Sequence, residues 1–360
     1  MRNTWLQTIK TFQKKLLEWF KSNARDLPWR RTHDPYHIWV SEIMLQQTQV
    51  DTVIPYYTRW INRFPAVQTL AQSPVSEVMK HWAGLGYYRR ARMLHEAAKT
   101  ICKKYAGVLP QDTDELRKLP GIGRYTAGAI ASIAYNQKAP VLDGNVIRVL
   151  SRVEAVSNDI SQLKTLNRLW QLAEAYLPDE NTGDFNQALM ELGATVCFPE
   201  NPRCGTCPVA SLCKAHRFKK EPSFPFNSRR EKLLKKNSFT LVLRANGRVL
   251  MRRQPTEARW GGLWMFPYWE SREAMLQDHS LICTEVGSTA KLKQRMSLTH
   301  GFTKYRIKLS VYESRLPDKV KSTHSILGDK NARWIPVAHL PKYALPSPHQ
   351  KIADEISKDV

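Results

Sequence analysis

At 360 residues the chain has room for two or three domains, each burying its own core. Its 55 lysines and arginines against 32 aspartates and glutamates leave a formal charge of +23, which points to a polyanion and, in its plainest alternative, to a merely soluble basic protein. No apolar run reaches membrane-spanning length and Met1-Arg2-Asn3-Thr4 does not open a secretory signal, so no membrane partner and a cytoplasmic location are expected.

Trp5, Leu6, Ile9, Phe12, Leu16, Leu17 and Phe20 recur at helical spacing, which predicts an amphipathic helix over residues 5–21 whose apolar stripe packs a core. Arg25-Asp26-Leu27-Pro28-Trp29-Arg30-Arg31 follows, a basic and aromatic loop that is either a solvated connection or a face turned to nucleic acid, with Arg30 as a candidate contact. A second helix leads into Ser41-Glu42-Ile43-Met44-Leu45-Gln46-Gln47-Thr48-Gln49-Val50. Glu42 stands among Trp39, Val40, Ile43, Met44 and Leu45, where desolvation would raise its pKa and suit it to general acid work; the bland reading is an exposed glutamate on a polar helix face. Thr48 with Asp51 has the pattern of a capping box, so a helix is expected to start there after a polar turn at Gln46 and Gln47, and Pro55 should kink or restart it. Ser73-Pro74 opens another helix with proline at its first position, and Gly84-Leu85-Gly86 ends it. Tyr87-Tyr88-Arg89-Arg90-Ala91-Arg92 then sets aromatics beside cations, a combination that can stack on bases while contacting phosphates.

After a helix over residues 93–105, a short helix at 112–119 runs into Leu119-Pro120-Gly121-Ile122-Gly123. Gly121 and Gly123 can take positive φ and carry no side chain, so backbone N–H groups can converge on a phosphate at the N-terminus of the next helix, residues 124–135; a tight connection between helices is the alternative. The pattern is a helix-hairpin-helix. About twenty residues on, Asp143-Gly144-Asn145 opens a helical run at 146–153, where Asp143 is by default an N-cap, although a phosphate clamp and a lone acid on one scaffold also suit chemistry on nucleic acid. Residues 162–177 and 184–196 are again helical in period, and up to Cys197 no strand pattern occurs, so this half reads as all-α.

Cys197, Cys204, Cys207 and Cys213 are separated by six, two and five residues. Four thiols so close in a reducing compartment favour a metal over disulfides. Zinc modules generally use two short-spaced pairs and only Cys204 and Cys207 form one, so the unequal spacing favours an iron-sulfur cluster. Residues 218–236 form a basic linker with Pro222 and Pro225, and beyond it short β runs at 238–244, 248–252, 304–312 and 333–336, with a type I′ hairpin signal at Asn246-Gly247, predict a separate α+β domain over 237–360.

The motifs at 41–50, 84–92, 119–130 and 141–149, with the cysteine spacing, together resemble the helix-hairpin-helix DNA glycosylases of the endonuclease III superfamily, nearest to their adenine-excising, MutY-like branch, and the C-terminal region is similar to the MutT (Nudix) fold. The resemblance implies a multidomain protein: a glycosylase body over 1–217, made of a six-helix module at about 25–135 and an iron-sulfur lobe from the N-terminal helix and about 136–217, followed by a recognition domain. It implies a 4Fe-4S cluster on Cys197, Cys204, Cys207 and Cys213, double-stranded DNA with A:8-oxoguanine or A:G mispairs as substrate, and a monomer.

Residue by residue, the resemblance makes Glu42 the proton donor to adenine, Asp143 the stabiliser of the sugar cation, and Tyr125 and Asn145 the groups that orient them. Gln47 and Tyr87 would enter the base stack, Gln187 would lie near the extruded adenine, and Gly121 and Gly123 would hold the backbone. Strand-cutting members resemble one another in a lysine at the position of Tyr125; a phenol cannot form an imine, so a monofunctional glycosylase is expected. Thr299 and His300, in a loop at 298–302, match the place where the opposite base is read. Only Arg272-Glu273 answers to the acidic metal box of Nudix hydrolases, too few carboxylates to hold magnesium, so this domain is expected to bind and not to hydrolyse. The rival readings are a pyrimidine-lesion glycosylase with lyase activity and a catalytically silent DNA-binding iron-sulfur protein.

Overall fold

The structure is a computed structural model and describes residues 2–229, 234–258, 260–302, 304–318, 320 and 331–359. Contacts divide the chain into two compact units, residues 1–73 with 93–230 and residues 74–92 with 231–360. In chain order the helices before the linker are α1 (Arg2–Asn23), α2 (Pro35–Leu45), α3 (Val50–Arg63), α4 (Val67–Gln72), α5 (Val75–Trp82), α6 (Arg89–Lys104), α7 (Thr113–Arg117), α8 (Arg124–Tyr135), α9 (Gly144–Val153), α10 (Leu163–Tyr176), α11 (Thr182–Thr195) and α12 (Lys214–Arg217).

The first unit is built around two helices that are apolar nearly all round and therefore buried. Tyr36 and the run from Ile38 to Met44 are inside on α2, as is the run from Thr126 to Ile133 on α8, and the two helices pack together. Small residues on α8 permit close approach; a Cβ on Gly128 would lie 2.3 Å from the Pro140 carbonyl oxygen. Phe12 and Leu16 of α1, Val149 and Leu150 of α9, Leu169 of α10 and Phe185 and Leu189 of α11 share one core. Burial of such side chains contributes about 1.5–3 kcal/mol each. The first turn of the α1 stripe is not covered, since Trp5 and Leu6 remain exposed.

Local starts differ from the sequence expectation at three places. The cap of α3 is Gln49 with no side-chain bond, because the Thr48 hydroxyl donates to the Gln46 carbonyl instead of closing a capping box. Pro55 lies inside α3 without ending it. Pro74 is the residue before α5, in extended conformation, and Val75 is the first helical position.

In the second unit, β1 (Leu234–Ala245), β2 (Arg248–Arg253), β3 (Trp264–Met265), β4 (Tyr268–Trp269), β5 (Lys293–Phe302), β6 (Tyr305–Arg315) and β7 (Ala332–Pro336) form one mixed sheet in the order β3-β2-β1-β6-β5, with β4 paired to β1 and β7 to β2. β1 and β6 are parallel, and the other pairs are antiparallel. The strand period of two sorts β1 between two cores: Val242 joins Ile352 and Ile356 of α14 (Ser347–Ile356), while Leu241 and Leu243 join Ile282 and Cys283 of α13 (Arg272–Glu285). Asn246 and Gly247 turn β1 into β2 with φ of +47° and +67°, both left-handed as a type I′ turn requires.

Residues 74–92 join this unit through Tyr88, whose hydroxyl donates to the Leu345 carbonyl, through Ser347, which donates to the Gly84 carbonyl, and through Arg92, which donates to the Thr256 carbonyl. The segment 298–302, expected as a loop, is the end of strand β5. Pairing with β6 continues through Thr299 with Lys308 and His300 with Ile307 to Phe302 with Tyr305, so cross-strand hydrogen bonds claim the residues read as a loop. Among the described residues no helix is long and apolar enough to cross a membrane.

Candidate active site

Four elements of the first unit and the loop after α1 line an open cavity of about 480 Å³, a volume with room for a small organic group such as a base. Glu42 and Gln47 line it from α2 and the turn beyond, Tyr125 from α8, Asp143 and Asn145 from the start of α9, and Gln187, Met190 and Glu191 from α11.

Glu42 is 5% exposed, because the helix that carries it is buried on all sides. Burial pushes its carboxyl up to about 7; the Tyr125 hydroxyl, which donates to Oε2 at 2.5 Å, pulls it down, Asp143 pushes it up again and Arg30 pulls it down. Burial, with Glu42 and Asp143 nearby, holds the Tyr125 phenol well above its ordinary value. Asp143 caps α9 by accepting from the Val146 N–H at 2.8 Å, and its other oxygen accepts from the Asn145 amide at 2.9 Å. Burial leaves this carboxyl above its ordinary value, and those donors together with Arg148 pull it part of the way back. Asn145 is oriented in turn by Arg148, which donates to its side-chain oxygen at 2.9 Å and to the carbonyls of Gly193 and Cys197 at 2.7 Å each. The site thus joins a carboxyl that titrates near neutrality to a second carboxyl anchored by two hydrogen-bond donors, a pairing of the kind that hydrolysis of a glycosidic bond uses.

Gln47 stands on the rim with φ of +56°, a left-handed backbone that a non-glycine residue adopts only under tight constraint. Tyr87 is also left-handed, at φ +46°, and is exposed, but it belongs to the second unit. Gly121 takes φ of +80° where a Cβ would lie 2.9 Å from that of Met93, and Gly123 is the extended N-cap of α8. Arg30 is committed elsewhere, its guanidinium bonded to Glu191 at 2.8 Å. In the second unit Thr299 is exposed on β5, and the half-buried His300 ring lies 5.9 Å from that of Trp260. Met190 and Glu191 went unread in the sequence, and Arg25 was read only as part of the basic loop at 25–31; Glu191 carries the same signal that singled out Glu42, a carboxylate in an apolar helical frame, here Leu189-Met190-Glu191-Leu192.

The four cysteines line one pocket with Val149, Val153, Leu192, Val196 and Val209. Fully buried Arg152 donates to Cys197 Sγ at 3.3 Å and to the carbonyls of Phe198 and Pro199, tying the loop to α9. Burial, then Glu221 and the neighbouring thiols, pushes Cys204 up to about 11; burial and the other thiols push Cys207 up to about 12. Thiols packed this way repel one another as anions, and a cationic inorganic core reverses that balance, so the donor set fits a metal centre. Glu221 accepts from Cys204 Sγ at 3.5 Å and lies 2.6 Å from His216 Nδ1, which places a carboxylate and an imidazole beside one of the four sulfurs.

The model of the HhH-GPD superfamily base excision DNA repair proteins matches residues 40–175, and that of the NUDIX domain matches residues 239–355. The adenine DNA glycosylase of Rattus norvegicus is 36% identical over 385 residues, covering 91% of this chain and 74% of its own length. That of Buchnera aphidicola (subsp. Schizaphis graminum) is 33% identical over 348 residues, covering 96% of this chain and 99% of its own. A solved thermostable thymine-DNA glycosylase, 30% identical with a TM-score of 0.54, covers 98% of itself but only 59% of this chain. The adenine relatives match across both units, whereas the thymine enzyme leaves about two fifths of the chain unmatched. The chain belongs to the adenine DNA glycosylase family of helix-hairpin-helix base excision repair proteins.

Proposed function

We propose that this protein hydrolyses the N-glycosidic bond of adenine mispaired with 8-oxoguanine, and less efficiently with guanine, in double-stranded DNA, leaving the strand uncut. What carries the reading is one observation: Glu42 and Asp143 line the same cavity, with the Glu42 carboxyl raised to about 7 and the Asp143 carboxyl anchored by the Val146 N–H and the Asn145 amide. Adenine is a poor leaving group until protonated, so the Glu42 carboxyl donates to N7 of the extruded base as the bond stretches. The Asp143 carboxylate stabilises the oxocarbenium-like sugar, with its charge direction fixed by Val146 and Asn145. Glu42, now ionised, draws a proton from the attacking water. Tyr125 holds the Glu42 carboxyl in place and, being a phenol, offers no amine for a Schiff base, which supports hydrolysis without strand cleavage.

Flipping the base costs a few kcal/mol, offset by contacts to the opened strand. Gln47 and Tyr87 are the residues for entering the stack, Gly121 and Gly123 for gripping the phosphate, Gln187 for the adenine edge, and Thr299 with His300 for the opposite base. Cys197, Cys204, Cys207 and Cys213 would hold a 4Fe-4S cluster, which supplies a fixed charge and a rigid lobe and no step of the hydrolysis. The protein acts as a monomer in the cytoplasm.

Glu42→Gln tests the assignment. It keeps shape and loses the proton, so the variant should bind an A:8-oxoguanine duplex with parental affinity while excising adenine about 10²–10⁴-fold more slowly in single turnover. Excision at the parental rate would remove Glu42 from the role of acid.

A further inference from the structure

We propose that Glu191 is a positioning residue, which fixes Arg25 and Arg30 against α11 and offsets part of their positive charge at the Glu42 carboxyl; the inference rests on Glu42 acting as the acid. The Glu191 side chain is 1% exposed and takes four hydrogen bonds. Its Oε1 accepts from the Arg25 backbone N–H at 3.0 Å and from Arg25 Nε at 2.7 Å, and its Oε2 from Arg25 Nη2 at 2.9 Å and Arg30 Nη2 at 2.8 Å. A carboxylate this deep is tolerated only when its oxygens are satisfied by charged donors. Burial alone would raise it, but the bonds from Arg25 and Arg30 outweigh burial and hold it at about 2, so it is an anion throughout the working range.

Arg30 is fixed further by donating from Nη1 to the Arg25 carbonyl at 3.1 Å and by lying 5.3 Å over the Phe20 ring. Arg25, Arg30 and Glu191 line the cavity that Glu42 lines. The charged and titratable groups facing Glu42 are therefore Tyr125 from α8, Asp143 from the start of α9, Arg30 with Arg25 from the loop after α1, and Glu191 from α11. With Glu191 present the two guanidiniums carry one excess positive charge; without it they carry two, and Arg30 loses the carboxylate that fixes its Nη2. The added uncompensated positive charge favours the ionised carboxyl, which would strip Glu42 of its proton before the base needs it. Glu191 itself bonds neither Asp143 nor Tyr125, so its direct effect on Glu42 is electrostatic.

The test measures single-turnover adenine excision from an A:8-oxoguanine duplex between pH 5 and 9 for the parent, Glu191→Gln, Arg30→Gln and the double variant. The parent rate should fall as pH rises through about 7. In Glu191→Gln that falling limb should move about one pH unit lower, making the variant about tenfold slower at pH 7.5 and close to parental at pH 5.5. Arg30→Gln should move the limb the other way, and adding it to Glu191→Gln should bring the limb back. A uniform loss at every pH, with the limb unmoved, would overturn the proposal by making Glu191 structural only. Should Glu191→Gln fail to fold, Arg30→Gln alone decides, since an unmoved limb there overturns the proposal as well. A parent profile with no limb near pH 7 would overturn the assignment of Glu42 first, and the role of Glu191 with it.

Discussion

Burying the Glu42 carboxyl costs the fold stability once it ionises. Its ordinary pKa of 4.5 is raised to about 7 in the folded chain, so the folded state holds a proton that the unfolded state has lost between those values. Stability associated with Glu42 is thus full below pH 4.5 and is lost as pH rises through 7, by roughly 3 kcal/mol at one pKa unit per 1.36 kcal/mol. Glutamine carries no charge to desolvate. Glu42→Gln should therefore raise the melting temperature at pH 8 and leave it nearly unchanged at pH 4.5, measured by calorimetry; an equal shift at both values would show that burial of charge is not what Glu42 costs. This residue was legible in the sequence because its neighbours are apolar. Glu191 carried the same signal and went unread, since its meaning lies in Arg25 and Arg30, more than 160 residues away in the chain. Arg152 was invisible for a like reason: its partners are carbonyls of Phe198, Pro199, Glu221 and Phe224, and backbone acceptors leave no trace in side-chain pattern.

Helices α9 and α11 set the distance between the acid pocket and the cysteine lobe. Gly193 on α11 abuts Asn145 so closely that an added Cβ would lie 2.5 Å from the Asn145 Cβ and 3.0 Å from its Cα. Neither backbone nor Cβ can move aside without shifting the start of α9, where Asp143 and Asn145 sit. Gly193→Ala should cost about 1–3 kcal/mol of stability by overpacking and reduce excision about 10²-fold by displacing Asp143. Chemical denaturation and single-turnover kinetics read the two effects; parental excision in the variant would mean that α9 tolerates the shift. Periodic helices such as α9 and α10 were readable from the sequence, because an apolar face at a period of 3.6 has one simple burial solution. Strand β5 was missed. It opens on Lys293, Gln294 and Arg295, and its identity comes from pairing with β6, including a register shift between Gln294 and Met296, which no local pattern encodes.

A net charge of +23 on 360 residues supplies the long-range attraction to DNA that any excision needs, and it is indifferent to sequence and lesion. On the proposed reading, selectivity falls to the cavity of the first unit and the sheet of the second; the solved thymine-DNA glycosylase matches 59% of the chain. The most direct measurement presents one set of duplexes, carrying adenine opposite 8-oxoguanine, guanine or thymine and carrying thymine glycol, and scores strand breaks with and without alkali. Breaks at adenine opposite 8-oxoguanine and, more slowly, opposite guanine, appearing only after alkali, are the predicted result; cleavage at thymine glycol without alkali would contradict it.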